Sequence, residues 1–468
     1  MRPVALSEHR VIRIVVLCTL YVAQGIPFGF FTVTLTASMA ADGLDATSIG
    51  GVFAVGTLPW VFKWVWGPFV DRFGSPRFGR RRPWILAAQM GMATTLLGMW
   101  FIPDPTSHLL VLGGFIFFHN VFNSLQDVCV DALAIDLLPA EDRGKASGLM
   151  YGAKYLGTAI GGGGLTLLVH FAGGGLSTAF AGMIVLILLI SLLPLLTVER
   201  PGQWMTPWSR LPAPLVDGRC SACGYSVVET KSPDRCIECG RELVPLERVD
   251  DHEPKTPGSV GQTLRELVRA FSGRAAILTG VVAVFATTAS GLLAPIGAVL
   301  FVKGFGWSEA EYGTVTGGAA VFAGLIGSVG GGFLADLVGP RRVLAAASIM
   351  LAGLLAVFGL GLDWFAELDR TVLWTYLVIE AGLLGCVNAA FFAICYGICR
   401  PAIAATQFTA YMALMNLGTI AAQASSGPAE IRLGLTGVWL LAAAIQGLAG
   451  GLVPLTRPRK PGVAPTGP

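Results

Sequence analysis

Long apolar stretches separated by short polar ones run along almost the whole chain. Twelve of them fall at about 11–36, 48–70, 83–102, 109–138, 146–171, 175–197, 275–302, 311–337, 341–363, 371–398, 402–425 and 433–456. Each reaches the roughly 20 residues that a helix needs to cross a bilayer. The apolar runs are continuous, whereas a transmembrane barrel strand alternates polar and apolar positions. The pattern predicts an all-α polytopic membrane protein with twelve transmembrane helices. Composition agrees: 13% of residues are charged, against about 25% in a typical soluble domain. A basic leader and the sequence ASMA (37–40) mimic a secretory signal. The first apolar run exceeds the roughly 7–15 residues of a signal core, so a retained helix is expected.

Basic residues set the expected orientation. Of the 32 Lys and Arg residues, only Lys303, Arg370 and Arg432 fall in the loops of one side, and only Lys63 and Lys154 lie well inside spans. The other basic residues cluster at both ends and in the alternate loops, which places both termini in the cytoplasm of an inner (cytoplasmic) membrane protein. The net charge of +3 follows from that topology, and no nucleic-acid partner is inferred.

The spans divide into two pseudo-symmetric six-helix halves. GPFVDRFGSPRFGRR (67–81) closes the second span and GGFLADLVGPRR (331–342) the eighth, so Asp71 corresponds to Asp336. At the same offset Asn123 corresponds to Asn388, and KYLGT (154–158) resembles MNLGT (415–419). Weak six-plus-six symmetry is how a transporter with parallel repeats reads, and it predicts a midplane cavity between the halves. The expected units are 1–197, a cytoplasmic loop at 198–274, 275–456 and a cytoplasmic tail at 457–468.

The central loop has a chemistry of its own. Cys220, Cys223, Cys236 and Cys239 have the spacing C-x2-C-x12-C-x2-C. Two thiolate pairs on tight turns form a tetrahedral soft-ligand site, so a zinc-ribbon-like module is expected at about 218–242. Iron or unmetallated thiols are the alternatives, and disulfides do not suit a reducing compartment. Four Cys ligands leave no open position, which makes zinc a structural cofactor. SVGQTLRELVRAF (259–271) reads as an amphipathic helix at the membrane surface.

Polar residues inside the spans are the candidate machinery. His119, Asn120, Asn123, Asp127 and Asp131 stripe the fourth span, with Asn123, Asp127 and Asp131 four residues apart. An intramembrane carboxylate costs about 2.5–3.5 kcal/mol on insertion scales, so it faces a cavity or a partner. Asp127 and Asp131 are candidates for proton coupling, because a carboxyl in a cavity responds to its hydration. A permanent ion pair with Lys63 or Lys154 is the other reading. Lys63 and Lys154 either face the cavity or snorkel. Glu380, Asn388 and Tyr396 recur every eight residues in the tenth span and could form the facing stripe, while Gln24 and Asn416 are further cavity candidates. Asp136, near a helix end, reads as solvated surface, and Gly157 and Gly161 suit close helix packing. No nucleophile–base pair, Walker loop or dinucleotide fingerprint is present, so an enzyme is not expected.

The loop between spans two and three resembles that of the major facilitator superfamily. The longer run LPWVFKWVWGPFVDRFGSPRFGRRRPWIL (58–86) resembles the branch of AmpG-like muropeptide permeases and acetyl-CoA transporters. QDVCVDALAIDLLPAEDRGKASG (126–148) and CRPAIAATQFTAYMALMNLG (399–418) resemble the same branch. The resemblance implies a conformational latch at the cytoplasmic face, built from Asp71, Arg72, Gly74, Arg80, Arg81, Asp336 and Arg341. It also implies a functional role for Lys63. In one place the chain departs from the branch: Leu133 and Ala134 stand where muropeptide permeases tend to have an aromatic–Arg pair.

These features together predict a secondary transporter working by alternating access, proton-coupled, with a polar organic solute (a muropeptide, a sugar or an acyl-carrier-like metabolite) as substrate. The expected partners are that solute, protons and the lipid bilayer, and the expected state is a monomer. A sugar–proton symporter of the sucrose-transporter type is the first alternative, since GRRRPWI (79–85) resembles that loop too. A membrane sensor or scaffold acting through the zinc ribbon is the alternative of another class.

Overall fold

The computed structural model describes residues 4–75, 78–139, 143–201, 203, 213–216, 219–220, 243–245, 265, 268–399 and 404–456. Among the described residues, ten helices are long and apolar enough to cross a membrane. In chain order the helices are α1 (Arg10–Ala41), α2 (Ala46–Val65), α3 (Arg82–Trp100), α4 (Leu109–Leu137), α5 (Gly148–Ala172), α6 (Leu176–Leu196), α7 (Arg274–Gly304), α8 (Glu309–Val338), α9 (Pro340–Leu360) and α10 (Arg370–Ile398). Helix α3 has 19 residues, but Gln89, Thr94 and Thr95 dilute its apolarity and it is not among the ten. The last long helix, Ala404–Leu452, is broken at Gly434, whose φ of 66° and ψ of 174° no helix contains. The break yields α11 (404–433) and α12 (435–452).

Two bundles result. In the first, α1 packs on α5, and α3 packs on α4 and α6. In the second, α8 packs on α10, while α7 and α9 pack on the Ala404–Leu452 pair. The α1–α5 contact shows why small residues recur there. A Cβ on Gly157 would lie 2.3 Å from the Val22 carbonyl oxygen, and one on Gly161 would lie 1.8 Å from that of Ile26. Only glycine admits that backbone approach.

The halves meet along α2 with α11 and along α5 with α8. At the second contact, π-helical turns face each other, Ile160–Gly164 in α5 and Val315–Ala319 in α8. There Gly317 lies against Gly162 and Gly163 with no space for a side chain. Gly50 meets the Gln423 carbonyl oxygen and Gly427 meets Thr47. The halves are therefore sealed at the bundle end opposite the chain termini.

The other end carries a compact polar hub. Strand β1 (Val4–Ala5) pairs in parallel with β2 (Thr197–Val198), which ties the chain's start to the end of α6. Buried Glu199 accepts from the backbone N–H groups of Arg80, Arg81 and Arg82 at 2.9, 2.7 and 2.6 Å. Arg82 donates to the Pro194 and Leu195 carbonyls that α6 leaves open at its C-terminus. In the central loop, β3 (Ala213–Val216) pairs antiparallel with β4 (Arg219–Cys220) and parallel with β5 (Leu243–Pro245). Cys220 ends β4, and Cys223, Cys236 and Cys239 lie outside the described residues. Most of the expected surface helix at 259–271 lies outside them as well.

Candidate functional site

The site starts from a break in α2. After Thr57 the α-helix gives way to the 3-10 turn Leu58–Trp60, and a second 3-10 turn covers Lys63–Val65. Pro59 lacks the N–H that would continue the ladder, and its ring crowds the preceding turn. Carbonyls freed at membrane depth need other donors. Asn120 Nδ2 supplies one, donating to Gly56 O at 2.8 Å, and Asn416 Nδ2 approaches Trp60 O at 3.3 Å from the other half. The break also turns Trp60 and Lys63 toward α4.

Lys63 Nζ lies 3.1 Å from Asp127 Oδ2, with 14% and 7% of the two side chains exposed. Trp60 is pinned by Nε1–H donation to Asn120 Oδ1 at 3.2 Å. Its ring has the Lys63 ammonium at 5.9 Å and the Lys154 ammonium at 5.3 Å from its centroid. Trp66 donates to Ser124 Oγ at 3.1 Å. One turn beyond Asp127, Asp131 accepts a short hydrogen bond from the Tyr21 hydroxyl. Asp127, Asp131, Lys63 and Lys154 thus form one buried group of two carboxyls and two amines around Trp60. Lys154 makes no salt bridge with any described residue, so one cation of the group is not held by a carboxylate.

The second half closes over this group. The Tyr21 ring meets Tyr151 edge-on at 5.8 Å, and Tyr151 meets Phe392 of α10 at 6.4 Å. Tyr155 OH and Ser328 Oγ are 3.0 Å apart across the halves, and Thr57 donates to Gln423 Oε1 at 3.4 Å. The arrangement can hold an anionic group against the Lys154 ammonium, offer an indole face to a ring, and exchange a proton at a carboxylate.

The candidate stripe on α4 splits into two faces. Asn120, Ser124, Asp127 and Asp131 meet Trp60, Trp66, Lys63 and Tyr21. His119 points elsewhere, its Nδ1 lying 3.0 Å from Thr95 Oγ1 of α3, and Asn123 is buried without joining either carboxylate. Gln24 is fully buried in α1 with neither amide atom partnered. Glu380 of α10 is in hydrogen-bonding contact with Tyr376, which accepts from Trp439 Nε1 at 3.2 Å. Glu380 is thus half-buried beside an aromatic pair, three turns into α10. Asn388 Oδ1 is buried without a protein partner.

The latch candidates separate as well. Arg81 Nε pairs with Asp136 Oδ2 at 2.9 Å, which corrects the reading of Asp136 as free surface. Arg80 donates its backbone N–H to Glu199, and Gly74 packs on the Arg80 side chain. Arg72 and Asp336 are exposed. Arg341 donates to Thr456 within its own half. The Asp71 side chain lies outside the described residues.

Trp60, Tyr21, Tyr151 and Tyr155 were absent from the sequence-derived set. For Trp60 a signal existed, since it precedes Lys63 by three residues beside a proline. The tyrosines carry no comparable mark, because an aromatic residue in a span usually reads as packing.

The sequence profile described as Major Facilitator Superfamily matches residues 16–422. Over 412 residues the chain is 24% identical to the anhydromuropeptide permease of Escherichia coli (strain K12), covering 87% of this chain and 72% of that protein. A stretch of 112 residues is 32% identical to putative transporter AmpG 3 of Rickettsia typhi, covering 23% of this chain and 26% of that one. The crystal structure of a D-xylose-proton symporter matches with a TM-score of 0.67 at 13% identity, covering 94% of this chain and 97% of that one. A mutant of the nucleoside transporter NupG matches at 0.65 and 15% identity, covering 95% and 99%. At such identities the two structures speak to the fold alone.

Proposed function

Because the chain belongs to the Major Facilitator Superfamily, we propose that it is a proton-coupled secondary transporter of an anionic, ring-bearing polar solute, in the class of muropeptides. The observation that carries this reading is the group of Lys63, Asp127, Asp131 and Lys154 beside Trp60, next to the interface of the halves. Lys154 would take a carboxylate or phosphate of the solute, and the indole face would stack on a sugar ring. Asp127 and Asp131 would be the proton-coupling acids, and binding at Lys154 would redistribute the charge that holds Lys63 to Asp127. Glu380 and Asn388 would face them from the second half. Similarity to the anhydromuropeptide permease supports the solute class.

Alternating access would rock the halves about this group, with the glycine contacts of α5 and α8 opening as the opposite face closes. We count twelve spans, taking α3 and both parts of the Ala404–Leu452 pair as membrane-crossing. The basic-residue asymmetry supports cytoplasmic termini in an inner membrane, and a monomer is sufficient for the site. The four central-loop cysteines would hold a structural zinc ion, since an all-thiolate set suits zinc and leaves no position for catalysis.

Proteoliposome uptake tests the reading. Anhydromuropeptide uptake driven by a pH gradient, and lost in Asp127→Asn and Asp131→Asn, is expected. Uptake of neutral sugars only would favour the sugar–proton symporter. No gradient-dependent flux of any tested solute, with ligand-dependent changes at the central loop, would favour a sensor or scaffold.

A further inference from the structure

Behind the ion group lies a second set of polar side chains that neither the solute nor the proton step uses. Gln24 of α1, Gln89 of α3 and Gln126 of α4 are each 0% exposed, and Asn123 of α4 is 1% exposed. Among the described residues, both amide atoms of Gln24 and Gln89 have no hydrogen-bond partner, nor do Gln126 Oε1 and Asn123 Oδ1.

Helix register brings the four together. Gln126 Nε2 donates to Leu20 O at 3.1 Å, which aligns α4 with α1. Gln24 is one turn along α1 from Leu20, and Asn123 is one turn back along the antiparallel α4. On α3, Gly91 lies under the Phe122 ring and Thr95 bonds His119, so Gln89 falls at the level of Gln126. Ile85, Val16 and Leu133 line one small cavity, which brings α3, α1 and α4 together one turn before Gln89 and Leu20. Three helices thus carry buried carboxamides at about one level of the half-bundle.

Buried carboxamides left unmet carry the full desolvation cost of each group, and this many together rival the whole stability of a domain. They must therefore meet a small guest. The groups are neutral and offer both donors and acceptors, which suits water and does not compensate a cation. We propose that Gln24, Gln89, Asn123 and Gln126 form an internal water-binding chamber that links α1, α3 and α4 on the side of α4 away from the ion group. The chamber is independent of the solute assignment, so its test can fail without touching that assignment.

Radiolytic hydroxyl-radical footprinting of the purified wild-type protein tests it directly, because bound water generates the radical in place. Met92, one turn from Gln89, and Met183 of α6 are both fully buried. Met92 is expected to be oxidised well above Met183, and equal labelling of the two would overturn the proposal. Gln89→Met keeps the volume but removes two of the polar atoms. Loss of the Met92 signal with a Tm lowered by about 2–4 °C is expected, whereas a Tm that is unchanged or raised would mean a dry site and refute it. Replacing sodium with choline should change neither readout. A sodium-dependent Tm abolished by Gln89→Met would identify the guest as a cation and likewise overturn it.

Discussion

Gly317→Ala tests whether the two halves separate at the α5–α8 seal. A Cβ there would lie 2.3 Å from Gly163 N and 2.6 and 2.8 Å from Gly162 C and Cα. Real Cβ atoms essentially never come within 3.0 Å of such a neighbour, so the two backbones must retreat by about 0.7 Å. The obstacle is backbone on both sides, and no flexible side chain can yield. Overpacking of this size costs about 1–3 kcal/mol. Because the contact joins the halves and belongs to neither core, that cost falls on the sealed state alone. A bias of about 1–3 kcal/mol shifts a two-state equilibrium about 5- to 150-fold. Spin labels at Asp42→Cys and Lys303→Cys, in a background without the nine native cysteines, would report the change by electron–electron distance measurement. Lys303 Nζ lies 3.3 Å from Leu44 O in the sealed state, so the labels begin close together. Gly317→Ala should populate a longer distance, with thermal stability near wild type. Gly385→Ala serves as the control. Its Cβ would lie 2.1 Å from Gly324 O inside one half, and it should lower stability without lengthening the distance. An unchanged distance distribution in Gly317→Ala would refute the hinge argument.

Further outcomes follow from the site. Removing one member of a buried ion pair strands the other at a cost of about 3–5 kcal/mol. Lys63→Met should therefore lower Tm more than the double variant Lys63→Met/Asp127→Leu, and additivity within about 0.5 kcal/mol in a thermal-denaturation cycle would remove the pair as a unit. Glu380→Gln should alter the pH profile of uptake while leaving solute counterflow intact, and an unchanged profile would exclude Glu380 from proton handling. One zinc per chain is expected by elemental analysis, falling in Cys236→Ser. Iron, or no metal, would overturn that assignment. At the sealed end, Asp45 caps α2 by accepting from Ser48 N at 2.9 Å, and the Ser48 hydrogen bonds hold its carboxyl below the usual range. A depressed acid stabilises above its unfolded pKa of about 3.9, and that contribution fades as pH falls through the lower folded value. Asp45→Ala should cost about 1 kcal/mol at neutral pH, with the difference from wild type vanishing in acid.

Local chemistry made much of this protein legible in the chain itself. A helix in lipid satisfies its own backbone, so continuous apolar runs mark spans with no knowledge of neighbours. Glycine has a local effect too: Gly157 and Gly161 mark close helix packing, whereas the break of α2 at Pro59 emerged only in the structure. The cost of intramembrane charge likewise singled out Asp127 and Asp131, while Lys63 and Lys154 could also have snorkelled. Which of them meet was decided by the tertiary structure. Sequence spacing grouped Asn123 with Asp127 and Asp131, yet Asn123 is buried with its Oδ1 unmet among the described residues while the acids meet Lys63 and Tyr21. Successive residues at that spacing drift around an α-helix, since four residues slightly exceed one turn. Spacing alone cannot say where the drift crosses from one neighbour to the next. Trp60, Tyr21 and the carboxamides of Gln89 and Gln126 are ordinary in the chain. Their meaning came from the helices packed against them, a property of contact between distant segments that no local pattern encodes.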